Sequence, residues 1–111
     1  MTGPFRKKLV LEARVAVPDG SGGYWGEWEV LGTHWAEVIL RSGRQEVGEG
    51  SARSRVSYSV RIRGVPPDGP SRPKPGQRFR DGNRVLHIRS VAEARSGNAF
   101  LECLTDEEVL P

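Results

Sequence analysis

The sequence predicts an all-β fold: a small single-domain β-barrel or sandwich of five to six mainly antiparallel strands, carrying one long basic loop. Three observations predict it. Apolar residues recur with a period of two in several segments, as they do in strands with one buried face. These segments are separated by clusters of glycine and proline or by Asp-Gly, the spacing of small barrels and sandwiches. Fourteen glycines and eight prolines in 111 residues leave little room for long helices.

In the first segment Leu9, Leu11, Ala13, Val15 and Val17 share one face, with Lys8, Glu12, Arg14 and Ala16 on the other. Pro18 to Gly23 then reads as a turn. Tyr24 to Leu40 is an aromatic-rich strand interrupted at Gly32, and a lone glycine in a strand marks a bulge that bends the sheet. Residues 41–55 (RSGRQEVGEGSARSR) have only Val47 and Ala52 as apolar residues, so they read as a flexible loop without structure of its own. Val56, Tyr58, Val60 and Ile62 alternate cleanly with Ser57, Ser59, Arg61 and Arg63, a strand expected at the centre of the sheet.

Residues 65–76 (VPPDGPSRPKPG) hold five prolines and read as a rigid, extended surface connection. Gln77 to Arg80, Asp81-Gly82 and Asn83 to Val91 form a hairpin, Asp-Gly being a strong two-residue turn signal. Ala92 to Asn98 makes a turn, Ala99 to Leu104 is the last strand, and an acidic tail occupies 105–111. The expected core anchors are Trp35, Tyr58, Val60, Ile62, Ile88 and Leu101.

The net charge is +3, and its distribution along the chain is uneven. Basic residues dominate 1–17, 41–63 and 72–95, whereas Glu102, Asp106, Glu107 and Glu108 make the end acidic. Such separation suits an anionic neighbour and a contact between opposite ends of two copies. The single cysteine, Cys103, excludes an internal disulfide and is consistent with a reducing compartment. The first apolar run is broken by Glu12 and Arg14 and is too short to span a bilayer, and no signal peptide is visible.

Catalysis needs a positioned nucleophile, a base and an orienting group. His34 and His87 each sit inside a strand beside hydrophobic residues and read as structural, while Cys103 reads as a small buried hydrophobe. Two histidines and one cysteine far apart fall short of a zinc set. Gly20-Ser21-Gly22-Gly23 lacks the lysine-serine pair and helix of a phosphate-binding loop. No enzyme, metal or cofactor is expected. Tyr24, Trp25, Trp28 and Trp35 could form a stacking platform for single-stranded nucleic acid. Their charged neighbours are Glu27, Glu29 and Glu37, which repel phosphates, so a core or subunit-interface role is the better reading.

Read together, the segments resemble the small β-barrel head–tail joining proteins of tailed phages, the head-closure or stopper type also found in gene transfer agents. The resemblance rests on Thr33-His34-Trp35-Ala36-Glu37-Val38, then a polar insert, then Val56-Ser57-Tyr58-Ser59-Val60-Arg61-Ile62-Arg63. The hairpin Arg78 to Ile88 and the closing Phe100-Leu101-Glu102-Cys103 complete it, so it covers nearly the whole chain. The sequence departs from the family pattern at Leu86-His87-Ile88 and in the proline-heavy 65–76 connection. The resemblance implies a virion protein made in the bacterial cytoplasm. It also implies a homo-oligomeric ring, usually a hexamer, between the portal–adaptor complex and a tail terminator or tail tube protein. That ring encloses the channel through which double-stranded DNA leaves. Arg41, Arg44, Arg53 and Arg55 of the long loop are then the candidates for reaching a partner or the lumen. The alternative function is a small stand-alone nucleic-acid-binding barrel.

Overall fold

Six strands follow one another: β1 (Lys7–Pro18), β2 (Tyr24–Gly48), β3 (Ser51–Arg63), β4 (Arg78–Asp81), β5 (Arg84–Glu93) and β6 (Phe100–Val109). The computed structural model describes residues 6–48, 51–93 and 99–109. Every pairing is antiparallel, and the order β1-β2-β3-β6-β5-β4 closes on itself through β1 and β4 into a barrel. Closure leaves no free edges around the ring, which decides between the two architectures compatible with the sequence.

The interior holds Leu9, Leu11, Ala36, Val60, Ile62, Phe79, Leu86, Ile88, Leu101 and Cys103. Of the expected anchors, Val60, Ile62, Ile88 and Leu101 are no more than 3% exposed, and Tyr58 packs half-buried against them. Trp35 is a correction. It is 56% exposed, because strand alternation gives the inward position to its neighbour Ala36, which is fully buried. A six-stranded barrel is narrow, and a small residue fits there where an indole does not.

At roughly 3.3 Å per residue, the 25 residues of β2 would span about 80 Å if straight. The longest dimension of the molecule is 46 Å. Two bulges bend the strand. The register skips Leu31 opposite Leu11 and Glu12, and skips Arg41 opposite Tyr58 and Ser57. The first lies beside Gly32, where the sequence predicts it, and a Cβ at Gly32 would come within 3.1 Å of Ser71. β2 outruns the barrel in both directions, so a hairpin leaves each end. Ala13, Val15 and Val17 lie on one of these hairpins, outside the core face that the alternation assigns them.

The 41–55 segment differs from expectation. Its backbone is paired from Ser42↔Ser57 to Gly48↔Ser51, so it is a continuation of two strands and not a structureless loop. Ladder hydrogen bonds satisfy the backbone without any apolar core, a route that a reading from composition misses. The same holds for the expected acidic tail at 105–111, of which Thr105 to Val109 complete β6. Thr105 is buried and its Oγ1 donates to the Tyr58 carbonyl at 3.1 Å. Residues 65–76 are also not extended. They form consecutive tight turns, with Gly69 N–H donating to Pro66 O and Arg72 N–H to Gly69 O. These turns close over the barrel end near His34, where Pro73 is buried. The β4–β5 turn falls at Gly82-Asn83, one residue later than the Asp-Gly signal suggests, with Gly82 at φ +60°.

The barrel closes through only three residue pairs, Val10↔Arg80, Leu11↔Phe79 and Glu12↔Arg78. The Glu12 side chain is 5% exposed and accepts from Arg78 Nε at 2.7 Å, with Arg80 Nη2 at 3.0 Å from its other oxygen. The Arg78 guanidinium also lies 3.9 Å from the centre of the Trp28 ring, which ties β2 to the same seam.

Three outcomes follow for the isolated domain. Ile62→Ala should cost about 2–5 kcal/mol in a urea melt, whereas Trp35→Ala should cost under about 1 kcal/mol as an outward-facing change; equal losses would place Trp35 back in the core. Glu12→Ala removes the partner of two guanidinium groups and should cost about 3 kcal/mol, with Glu12→Gln retaining part of it. Burial pushes the Cys103 thiol up from 9.0 to about 12. The folded chain therefore keeps a proton that the unfolded chain releases between pH 9 and 12, so stability falls as pH rises through that window. At pH 8 the thiolate population is roughly a thousandfold below that of an exposed cysteine. A thiol reagent should label Cys103 only after denaturant is added.

Candidate functional site

The histidines and the cysteine are spread apart by the fold. His34 Nε2–H donates to the Ser71 carbonyl at 2.7 Å and its ring meets the edge of Phe79 at 6.3 Å, so it fastens the 65–76 turns to the barrel. His87 faces Trp28, ring centres 6.4 Å apart, on the outside of β5. Among the described residues no group of three or more His, Cys, Asp and Glu side chains could hold a metal ion.

Charged groups concentrate at the barrel end from which the β2–β3 hairpin leaves. An open cleft there is lined by Arg6, Lys7, Ala36, Glu37, Val38, Tyr58, Arg84 and Glu107. Lys7 Nζ lies 3.0 Å from Asp81. Arg84 makes a two-pronged contact with Glu107, at 3.0 and 3.3 Å, and its guanidinium sits 5.2 Å from the Tyr58 ring centre. The Glu107 hydrogen bond raises the Arg84 pKa further above its ordinary value, so this group is a fixed cation.

Of the four candidate arginines, Arg41 occupies the second bulge of β2 with its side chain 50% exposed, and lies 3.9 Å from Glu102. Glu102 is held more closely by Arg61, at 3.1 Å. The ladder sets Arg44 directly across from Arg55, and Arg53 across from Glu46. The side chains of Arg44, Arg53 and Arg55 lie outside the described residues. The fold thus gathers the four positions on one hairpin.

The acidic end of the chain is spent inside the molecule. Asp106 accepts from Ser57 Oγ at 2.8 Å and lies 3.3 Å from Arg89, and Glu107 is taken by Arg84. The separation of charge along the sequence is largely cancelled by β5 and β6 lying side by side. Among the described side chains, Tyr24, Trp28 and Trp35 do not form one platform. Trp28 is enclosed by Arg14, Arg78 and His87, Trp35 stands on the outer wall of β2, and Tyr24 is 72% exposed near the β1–β2 tip. The Trp25 side chain lies outside the described residues. Sequence reasoning missed the Glu12–Arg78–Arg80 seam and the Arg84–Glu107 pair. The one available signal was a carboxylate, Glu12, set inside the first apolar run.

The comparisons with known proteins agree with this geometry. No curated protein matches the chain. Its structure is similar to a chain in a structure described as the virion of a native gene transfer agent (GTA) particle. The two are 39% identical over 96% of each chain, with a TM-score of 0.85. The family model described as phage head completion protein matches residues 1–108. With that match spanning almost the whole barrel, the chain belongs to the phage head completion protein family.

Proposed function

We propose that this protein is a structural connector. Copies of it form a homo-oligomeric ring, a hexamer, between the portal–adaptor assembly and the tail terminator or tail tube of a phage or gene transfer agent. DNA passes through the ring. The observation that carries this reading is the likeness, over nearly the full length of both chains, to a component of a gene transfer agent virion. The absence of a catalytic role belongs to the same reading, since the barrel core is mostly apolar and the cleft's Lys7, Arg84 and Glu107 are held in ion pairs.

Elementary physics supports the division of labour. A closed barrel resists deformation because every strand around the ring is paired on both sides. Hairpins leaving opposite ends of such a body can reach different neighbours while the body keeps its shape. The β2–β3 hairpin brings Arg41, Arg44, Arg53 and Arg55 together, which suits an acidic partner surface or phosphates. Attraction to phosphate is sequence-independent and falls steeply with salt, so DNA can slide past a few arginines without being held.

The hairpin provides the test. Replacing Gln45–Ser54 with Asn-Gly joins Arg44 to Arg55 through a two-residue turn and keeps their register. The isolated variant should melt within a few degrees of the parent, because the apolar core lies elsewhere. The same variant should yield heads without joined tails, or particles that have lost their DNA, when counted by negative-stain microscopy. Normal yields of joined, DNA-filled particles would remove the hairpin from the connector role.

A further inference from the structure

The ring reading leaves open which surfaces of neighbouring copies meet, and two faces of the barrel answer each other. The first is the outer wall around β2 and β3. Lys8 stands directly across from Trp35, and Arg63 follows Ile62, which pairs with Trp35's neighbour Ala36. Lys8 and Arg63 are exposed, as are Trp35 at 56% and Leu104 at 46%. Glu37, across from Arg61, and Glu102, held by Arg61, share this face, so the wall is net basic through Lys8 and Arg63. It also shows two large apolar side chains, and aromatic residues are enriched at interfaces.

The second face is the projecting part of the β1–β2 hairpin. One side of it, through Trp28, packs on Arg78 and His87 on the outside of β4 and β5. Alternation sends Val15, Val17, Glu27 and Glu29 to the other side, with Val15 directly across from Glu27. Both glutamates are exposed and Val15 is 37% exposed. In the ring order β2, which carries Trp35 between Lys8 of β1 and Arg63 of β3, stands three places from β5, the farthest separation six strands allow. The acidic hairpin face, laid over β4 and β5, therefore looks away from the basic wall.

We infer that a second copy of this chain is the partner of each face: Glu27 and Glu29 of one subunit meet Lys8 and Arg63 of the next, with Val15 and Val17 packed toward Trp35. Two different, complementary surfaces on opposite sides of one body make a head-to-tail contact, the kind that closes into a ring by rotation. A two-fold contact would bring like charges together on either face. Opposite charge across the contact sets its register, and like charge there is strongly disfavoured. This inference rests on the ring reading proposed above.

The test is a charge exchange in particles, with the deletion strain beside it. Glu27→Lys with Glu29→Lys should lower the yield of joined particles at least roughly tenfold by placing like charges in contact. Adding Lys8→Glu with Arg63→Glu should restore most of it. All four side chains are exposed, and surface ion pairs each contribute little to stability, so the isolated variants should melt within a few degrees of the parent. In parallel, Glu29→Cys combined with Arg63→Cys, treated in purified particles with a short bis-maleimide, should give a ladder of linked subunits, and neither single variant should. A silent charge exchange, or dimers from either single cysteine variant, overturns the pairing of faces. If deleting the protein still leaves joined particles, the connector reading itself fails. If deletion unjoins them while the exchange is silent, only the interface falls.

Discussion

Closure of the barrel hangs on the shortest strand in it. β4 has four residues and meets β1 through three pairs, one of which sets a carboxylate against two guanidinium groups. An isolated buried charge is costly, so Glu12 is tolerable only while Arg78 and Arg80 hold it, and they are positioned only when β4 is in place. Ion pairing and strand pairing are conditional on each other there. Arg78 extends the dependence to β2 by stacking on Trp28, so one side chain links the seam, the bulged strand and the hairpin that folds back over it.

Electrostatics inside the molecule follow the same economy. Acidic residues of β6 are matched to basic residues of β5, the strand before it, and of β3, which is far from it in the chain; both lie beside it in the barrel. Exposed pairs of this kind contribute little energy each, typically under about 1 kcal/mol. Their larger effect is on which charges remain available. With β6 matched, Lys8 on β1 and Glu27 and Glu29 on the β1–β2 hairpin are among the charged side chains that stay exposed.

A stiff body with projections from both ends suits a virion component better than a ligand-binding barrel. Among the described residues the interior is packed with apolar side chains, and the cleft lined by Lys7, Arg84 and Glu107 is open and edged by paired charges. What the molecule offers its surroundings is surface, including the exposed Trp35, Tyr24, Leu40 and Leu104. Such features are unhelpful for a free monomer and useful for a subunit that spends its working life assembled.

Much of the fold could be read from residue order alone, because local patterning carries it. The alternation from Val56 to Ile62, the bulge at Gly32 and, to within one residue, the β4–β5 turn depend on a few adjacent residues. Val60, Ile62, Ile88 and Leu101 were recognisable as core for the same reason. Family membership was also legible, since motif order survives without coordinates. Tertiary structure decided whatever depends on neighbours distant in sequence. Trp35 reads as core until Ala36 is seen to take the one narrow inward position. The 41–55 segment reads as loop because composition measures apolar burial, while two polar strands can satisfy each other's backbones. The acidic end reads as a tail until β3 and β5 supply partners on both sides of it. Pairing partners, and hence the faces left exposed for assembly, are properties of the closed barrel and of no segment within it.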